Sequence, residues 1–203
     1  MAEPGLRKRI VAVSRRMTAL GINQGASGNV SARLGDRAGP GFLITPSALA
    51  YEAMSAGDIV KISAAGKASG ARTPSSEWRI HHDIYEARAD AGAIVHTHSV
   101  QATALACLGR AIPAFHYMVA AAGGDSIRCA PYAVFGSQAL SDAALGALAE
   151  RAMSASLHAS SPVERRSEPA VASSSEAKRC DKSSSRARAP LSSQQAPHQP
   201  LQV

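Results

Sequence analysis

Aromatic side chains are scarce in this 203-residue chain: three Phe, four Tyr and one Trp, all between Phe42 and Phe135. A core can therefore be built only in the first three quarters of the sequence. Cysteine is scarcer still. Cys107, Cys129 and Cys180 are widely spaced and odd in number, which argues against a disulfide framework and fits a reducing, cytoplasmic compartment. No apolar run approaches the roughly 20 residues needed to cross a bilayer. The charged N-terminus also lacks the apolar stretch of a secretory signal, so no membrane association is expected. Acidic residues are outnumbered, 15 against 22 Lys and Arg, and the formal charge of +7 divides into +4 for residues 1–153 and +3 for 154–203. A basic balance suits nucleic acid or a phosphorylated small molecule. With no basic-aromatic stripe and no nucleic-acid motif, the second is favoured.

Hydrophobic periodicity divides the first 153 residues into alternating elements. Leu6, Ile10, Val13, Met17 and Leu20 recur at helical spacing, and Gly21 stops the helix predicted over 5–20. Strands are expected over 30–34 and 42–45, joined by a turn around Gly35-Asp36, and over 58–62, with Gly66 and Gly70 bracketing a loop. Pro74 and Ser75 are read as opening a helix to about residue 89. A buried strand over 93–98, a short helix over 100–108 and a last helix capped by Ser137 and running to about 153 follow. This order predicts an α/β fold around a central, mostly antiparallel sheet flanked by helices. Residues 154–203 differ: thirteen Ser, five Pro, no Ile and no aromatic. Such a segment cannot bury enough apolar surface to offset an ordering cost of about 1–2 kcal/mol per residue, and a disordered tail is expected. Domain organisation is thus 1–153 folded and 154–203 tail.

The sharpest chemical signal is His96-Thr97-His98, which follows the apolar run Ala93-Ile94-Val95. Alternate residues of a strand share a face roughly 6.5–7 Å apart, so two imidazoles at that spacing can converge on one ion. Glu77, about twenty residues earlier, is the candidate carboxylate, and a tetrahedral site wants such ligands plus an open position. Ser75 and Ser76 beside it, read as the start of a helix, would offer hydroxyls next to the positive helix end, a phosphate site or an ordinary cap. The turn Gly25-Ala-Ser-Gly-Asn-Val-Ser31, with Ser27 and Asn29, could form an anion nest or be only a turn. Ser47 adds a hydroxyl after the second strand. Glu77 and His81 are four residues apart and could share a helix face, although His81 and His82 are both read as helix-surface residues. Tyr117 offers a phenol that could donate a proton, or pack in a core.

Taken in order, Gln24-Gly-Ala-Ser-Gly-Asn-Val-Ser31, Leu43-Ile-Thr-Pro-Ser47, Pro74-Ser-Ser-Glu-Trp-Arg79, Val95-His-Thr-His98 and Ile112-Pro-Ala-Phe-His-Tyr-Met118 resemble the class II aldolase/adducin family over residues 5–153. The stretch 112–136 is most similar to its fuculose-phosphate branch. The resemblance implies a zinc-dependent lyase that cleaves a ketose 1-phosphate to dihydroxyacetone phosphate and an aldehyde. It implies His96 and His98 as two of three zinc histidines, and Glu77 as a carboxylate that binds metal and then serves as acid/base. Asn29, Ser47, Ser75 and Ser76 match the phosphate cradle. Tyr117 matches a tyrosine that reaches a neighbouring subunit's site in a four-fold symmetric homotetramer and protonates the departing aldehyde oxygen.

The match stops where the family continues with a strand carrying the third zinc histidine. His158 and His198 lie in no strand-like run, and neither is assigned as a ligand. A shift of reading frame near residue 153 would account for the change, and an uninterrupted alternate frame with a His-Gly pair in the DNA would show it. Weakened metal binding, low activity and a compromised tetramer are the expected results. Within the family, a sugar-phosphate 4-epimerase or dehydratase would retain the same residues. An adducin-like interaction module would keep the fold without metal, and a basic-tail nucleic-acid binder would show salt-sensitive binding lost on deleting 154–203.

Overall fold

The computed structural model describes residues 2–35, 39–149, 151 and 154–155. The expected turn at Gly35-Asp36 falls partly outside these residues, as does the expected tail apart from Ser154–Ala155. The chain begins with helix α1, Glu3–Ala19. Strands β1 (Asn29–Arg33), β2 (Gly41–Ile44), β3 (Val60–Ser63) and β4 (Ala68–Ser69) follow, with a 3-10 turn at Ala56–Asp58 before β3. Helix α2 spans Trp78–Ala87, strand β5 Ala93–His96 and helix α3 Val100–Cys107. A 3-10 turn at Tyr117–Ala122, strand β6 (Arg128–Cys129), helix α4 (Gln138–Leu148) and strand β7 (Ser154–Ala155) complete the described chain. The main sheet has the order β4-β3-β2-β1-β5, and its pairings are all antiparallel. The expected α/β class with a mostly antiparallel sheet is what the chain adopts.

Strand alternation gives the sheet two different faces. Val30, Ala32 and Leu43 pack with Ile10, Val11 and Met17 of α1. Phe42, Ile44, Val60 and Ile62 point the other way and pack with Tyr85 of α2. Ile80 and Ile84 of α2 meet Leu140 and Ala144 of α4 in a third cluster. In α1 the inner face is displaced from the predicted stripe: Ile10, Val11, Ser14 and Met17 are buried, whereas Val13 and Leu20 are 39% and 59% exposed. Ser14 can occupy the inner face because its hydroxyl donates back to the Ile10 carbonyl at 2.9 Å, satisfying itself without a partner from the sheet.

Several predicted boundaries move for identifiable reasons. The third predicted strand begins at Val60 because Asp58 is held in a capping arrangement. Its carboxylate accepts from the Ser55 backbone N–H at 2.9 Å and from the Ser55 hydroxyl at 2.6 Å. Helix α2 begins at Trp78 instead of Pro74–Ser75, because the chain there is extended. Pro46 and Pro74 form an antiparallel bridge, and the Ser75 N–H donates to the Thr45 carbonyl. Strand β5, expected to be buried over 93–98, ends at His96 and is half-exposed, with Val95 at 51%. Among the described residues it lies at the edge of the sheet beside β1. Ser137 caps α4 as expected, its hydroxyl accepting from the Leu140 N–H at 3.1 Å. Ser154–Ala155 pairs in parallel with Arg128–Cys129.

Two outcomes follow for stability. Leu43 is wholly buried, so Leu43→Ala is expected to cost about 2–5 kcal/mol in chemical denaturation. The bonds from Ser55 and the guanidinium of Arg72 hold the Asp58 carboxyl down, from 3.8 to about 2. A depressed carboxyl stabilises above its unfolded value and loses that contribution as pH falls through its folded one. Asp58→Asn is therefore expected to lower stability at neutral pH and to flatten its decline between pH 4 and 2, measured by denaturation at each pH.

Candidate metal centre

The register of β1 against β5 places Asn29 opposite His96. Gly28 permits that approach: a Cβ there would lie 2.4 Å from the His96 carbonyl oxygen and 2.6 Å from Asn23 Oδ1. Tyr51 pins the same turn, its buried hydroxyl donating to the Gly28 carbonyl at 2.5 Å. His98 lies past the strand end, so strand alternation alone does not orient it. Its backbone N–H donates to Asn23 Oδ1 at 3.1 Å, and this bond fixes the extended turn of the chain. The two imidazoles then meet edge to face, with Nε2 atoms 2.9 Å apart.

Glu77 arrives from the opposite side. It sits immediately before α2, is 3% exposed, and its Oε2 lies 3.2 Å from His96 Nε2. Asn29 Nδ2 donates to the same oxygen at 2.8 Å. One ligand atom from each of Glu77, His96 and His98 falls within 4.8 Å of the others. Two imidazole nitrogens and one carboxylate are a donor set suited to a zinc-like dication, and the carboxylate is already oriented by a hydrogen bond from outside the set.

A cavity of about 330 Å³ adjoins this cluster, lined by Ser27, Gly28, Ser47, Ser75 and Ser76 together with Glu77 and His98. Three of the four expected phosphate contacts thus line one space. Asn29 does not. It is 1% exposed, and its amide is occupied on one side by Glu77 and on the other by His81 Nε2. Ser75 and Ser76 are not the first residues of a helix either, so the expected helix-end phosphate site is reduced to hydroxyls. The Ser75 hydroxyl accepts from the Glu77 N–H at 3.3 Å. Tyr117 lines neither this cavity nor the larger one described below; it is 78% exposed, its ring 4.4 Å from that of His116.

A second cavity, of about 510 Å³, lies between α2, β5, α3 and α4, with Ile80, Ile84, Ile94, Ala144 and Leu148 on its apolar walls and His96 at its margin. The candidate centre therefore lies between a hydroxyl-lined space and a larger one whose walls also carry Arg88, Asp90 and Arg151.

Behind Glu77 is a polar line that sequence reasoning missed. His81, read as a surface residue, is 1% exposed. Burial, and then the neighbouring charge of His96, push it down to about 3, against an opposing pull from Glu77. The ring is neutral. Its Nδ1 faces the Ser31 hydroxyl at 2.6 Å, which in turn lies 2.8 Å from the Tyr85 hydroxyl. Burial raises Tyr85 to about 12, so this phenol keeps its proton. Asn23 was missed as well. The available signal was spacing: Glu77, His81 and Tyr85 recur every four residues, and Asn29, Ser31 and Arg33 every two.

Residues 8–177 match the model of the family described as the class II aldolase and adducin N-terminal domain. A 5-methylthioribulose-1-phosphate/5-deoxyribulose-1-phosphate aldolase of Rhodospirillum rubrum is 53% identical over 146 residues, 72% of this chain and 64% of that protein. The L-fuculose phosphate aldolase of Escherichia coli is 49% identical over 146 residues, 72% of this chain and 66% of its own length. A solved L-fuculose 1-phosphate aldolase superposes with a TM-score of 0.69 at 35% identity, covering 74% of this chain and 70% of that one. The matched part thus spans slightly less than two thirds of the length of those two curated relatives. With this match and these identities, the chain belongs to the class II aldolase and adducin family.

Proposed function

We propose that Glu77, His96 and His98 bind a divalent cation, zinc, and that the chain carries the centre of an aldolase acting on a ketose 1-phosphate. The observation that carries this reading is the meeting of three ligand atoms within 4.8 Å beside a cavity lined by serine hydroxyls. A bound dication would supply Lewis-acid stabilisation of the negative charge that develops as the carbon–carbon bond breaks. Ser47, Ser75 and Ser76 would orient the terminal phosphoryl group. Glu77 would move the proton at the carbon next to the carbonyl. Tyr117 would protonate the departing aldehyde oxygen in a neighbouring subunit's site, in keeping with its exposure. The assembly proposed is a homotetramer.

Three substrates are favoured, by two specific observations. The motifs of 112–136 and the Escherichia coli relative favour L-fuculose 1-phosphate, while the 53% identity to the Rhodospirillum rubrum enzyme favours 5-methylthioribulose 1-phosphate or 5-deoxyribulose 1-phosphate. All three share the ketose 1-phosphate end that the serine-lined cavity would hold, and they differ at the departing aldehyde. Two histidines and one carboxylate are three ligands, the number used by open catalytic zinc sites. Because Glu77 would have to leave the metal to move a proton, only two imidazoles would then remain. Binding is accordingly expected to be weaker than in a three-histidine site.

Release of dihydroxyacetone phosphate from each ketose phosphate, with the zinc-supplemented chain, tests the proposal. Turnover should be abolished by chelator and restored by zinc. No release from any of the three, with zinc bound, would reject the aldolase reading and favour an epimerase, dehydratase or interaction module. His96→Ala and His98→Ala are each expected to weaken zinc binding at least about tenfold, measured by competition with a chromophoric chelator. Gly28→Ala is expected to do the same without removing a ligand, because its Cβ would force β1 away from the His96 carbonyl.

A further inference from the structure

Glu77, Asn29, His81, Ser31 and Tyr85 form one unbroken hydrogen-bonded line across the interface of β1 and α2, each of them 5% exposed or less. The chemistry of its members gives the line a direction. The Asn29 nitrogen faces Glu77 Oε2 and the Asn29 oxygen faces His81 Nε2. A carbonyl oxygen accepts only, so His81 must carry its proton on Nε2. With the ring neutral, Nδ1 is then an acceptor, and the Ser31 hydroxyl donates to it. The Ser31 oxygen is left to accept from the Tyr85 phenol. Every donor thus points towards Glu77. The far end is closed by a cation: the Arg33 guanidinium lies 4.7 Å from the centre of the Tyr85 ring and donates to the Tyr85, Arg88 and Ala91 carbonyls.

We infer that His81 is the positioning residue for Glu77: its Nε2–H, acting through Asn29, fixes which end of the amide meets the carboxylate and so holds Oε2 beside His96. The role rests on the metal-centre reading of Glu77, His96 and His98. Without the His81 donor, the Asn29 amide loses the partner that fixes its orientation. A flipped amide would present its oxygen to the carboxylate, and the two would repel. Burial makes this costly, because an unpaired polar group in the interior bears its full desolvation penalty. The reverse polarity is chemically distinct. It requires a protonated Glu77 donating to the Asn29 oxygen, and a His81 proton on Nδ1 shared with Ser31.

Nitrogen-15 NMR of the metal-free full chain, labelled at histidine, distinguishes the two polarities. His81 is expected as the neutral Nε2–H tautomer; an Nδ1–H tautomer would overturn the inference. Zinc affinity gives the second readout. His81→Leu is expected to bind zinc roughly 10- to 100-fold more weakly, and His81→Gln, whose carboxamide can still donate to Asn29, to recover most of the loss. A merely structural role would lower the thermal midpoint of His81→Leu without changing the zinc affinity of its folded form, and that result would also sink the proposal. If His81→Leu does not fold, the tautomer and the His81→Gln affinity decide. If the unsubstituted chain binds no zinc, the metal-centre reading fails, whereas the tautomer still supports or rejects the directed line.

Discussion

A carboxyl group almost wholly removed from water governs how this molecule is put together. Glu77 precedes the first turn of α2 at 3% exposure, and a polar group so buried must be met by hydrogen-bonding partners. The donor comes from β1, through Asn29, and the basic side chains come from β5 and the residues after it. The site is therefore a junction of three chain segments far apart in sequence. Its geometry depends on the β1–β5 register and on the seating of α2 over the sheet. Gly28 and Asn23 serve that junction: one removes a Cβ from the closest backbone approach, and the other ties the His98 backbone to the turn before β1.

The two faces of β1 show how one strand can serve both stability and chemistry. Val30 and Ala32 pack into the apolar layer against α1, while Asn29, Ser31 and Arg33 carry polar groups to α2. Interior polar groups of this kind are tolerated only when every member is satisfied. Here the partners run the whole length of α2, from Glu77 before its start to the carbonyls at its end. The apolar clusters on either side shield the line from solvent, which strengthens each of its bonds.

Much of this was legible in the sequence because it rests on local chemistry. The mostly antiparallel sheet and the Ser137 cap follow patterns that need only spacing and residue type, and the motifs around Glu77, His96 and His98 mark these three as candidate ligands before any contact between them is known. What was not legible depends on meetings between distant segments. His81 reads as a surface histidine until β1 supplies Asn29 and Ser31 as partners. Pro74 and Ser75 imitate a helix start, and only the bridge from Pro46 to Pro74 shows why the chain stays extended there. The partners of the Asn29 amide, Glu77 and His81, lie just before and within a helix some fifty residues away, and no local pattern around its glycine-rich turn announces them. The exposure of β5 was hidden by its apolar composition, since a run such as Ala93-Ile94-Val95 does not reveal whether a neighbour covers it.

Arg33 gives this arrangement a mechanical consequence. By gripping three carbonyls around the end of α2 while Asn29 reaches Glu77 at its beginning, β1 is fastened to the helix at both ends. Neither element can slide along the other without breaking bonds at two places at once. The carboxylate side of the centre is thus the stiff jaw of a clamp. The imidazole side hangs from an edge strand paired only with β1 among the described residues, so any change in the spacing of the three ligand atoms would fall on that jaw.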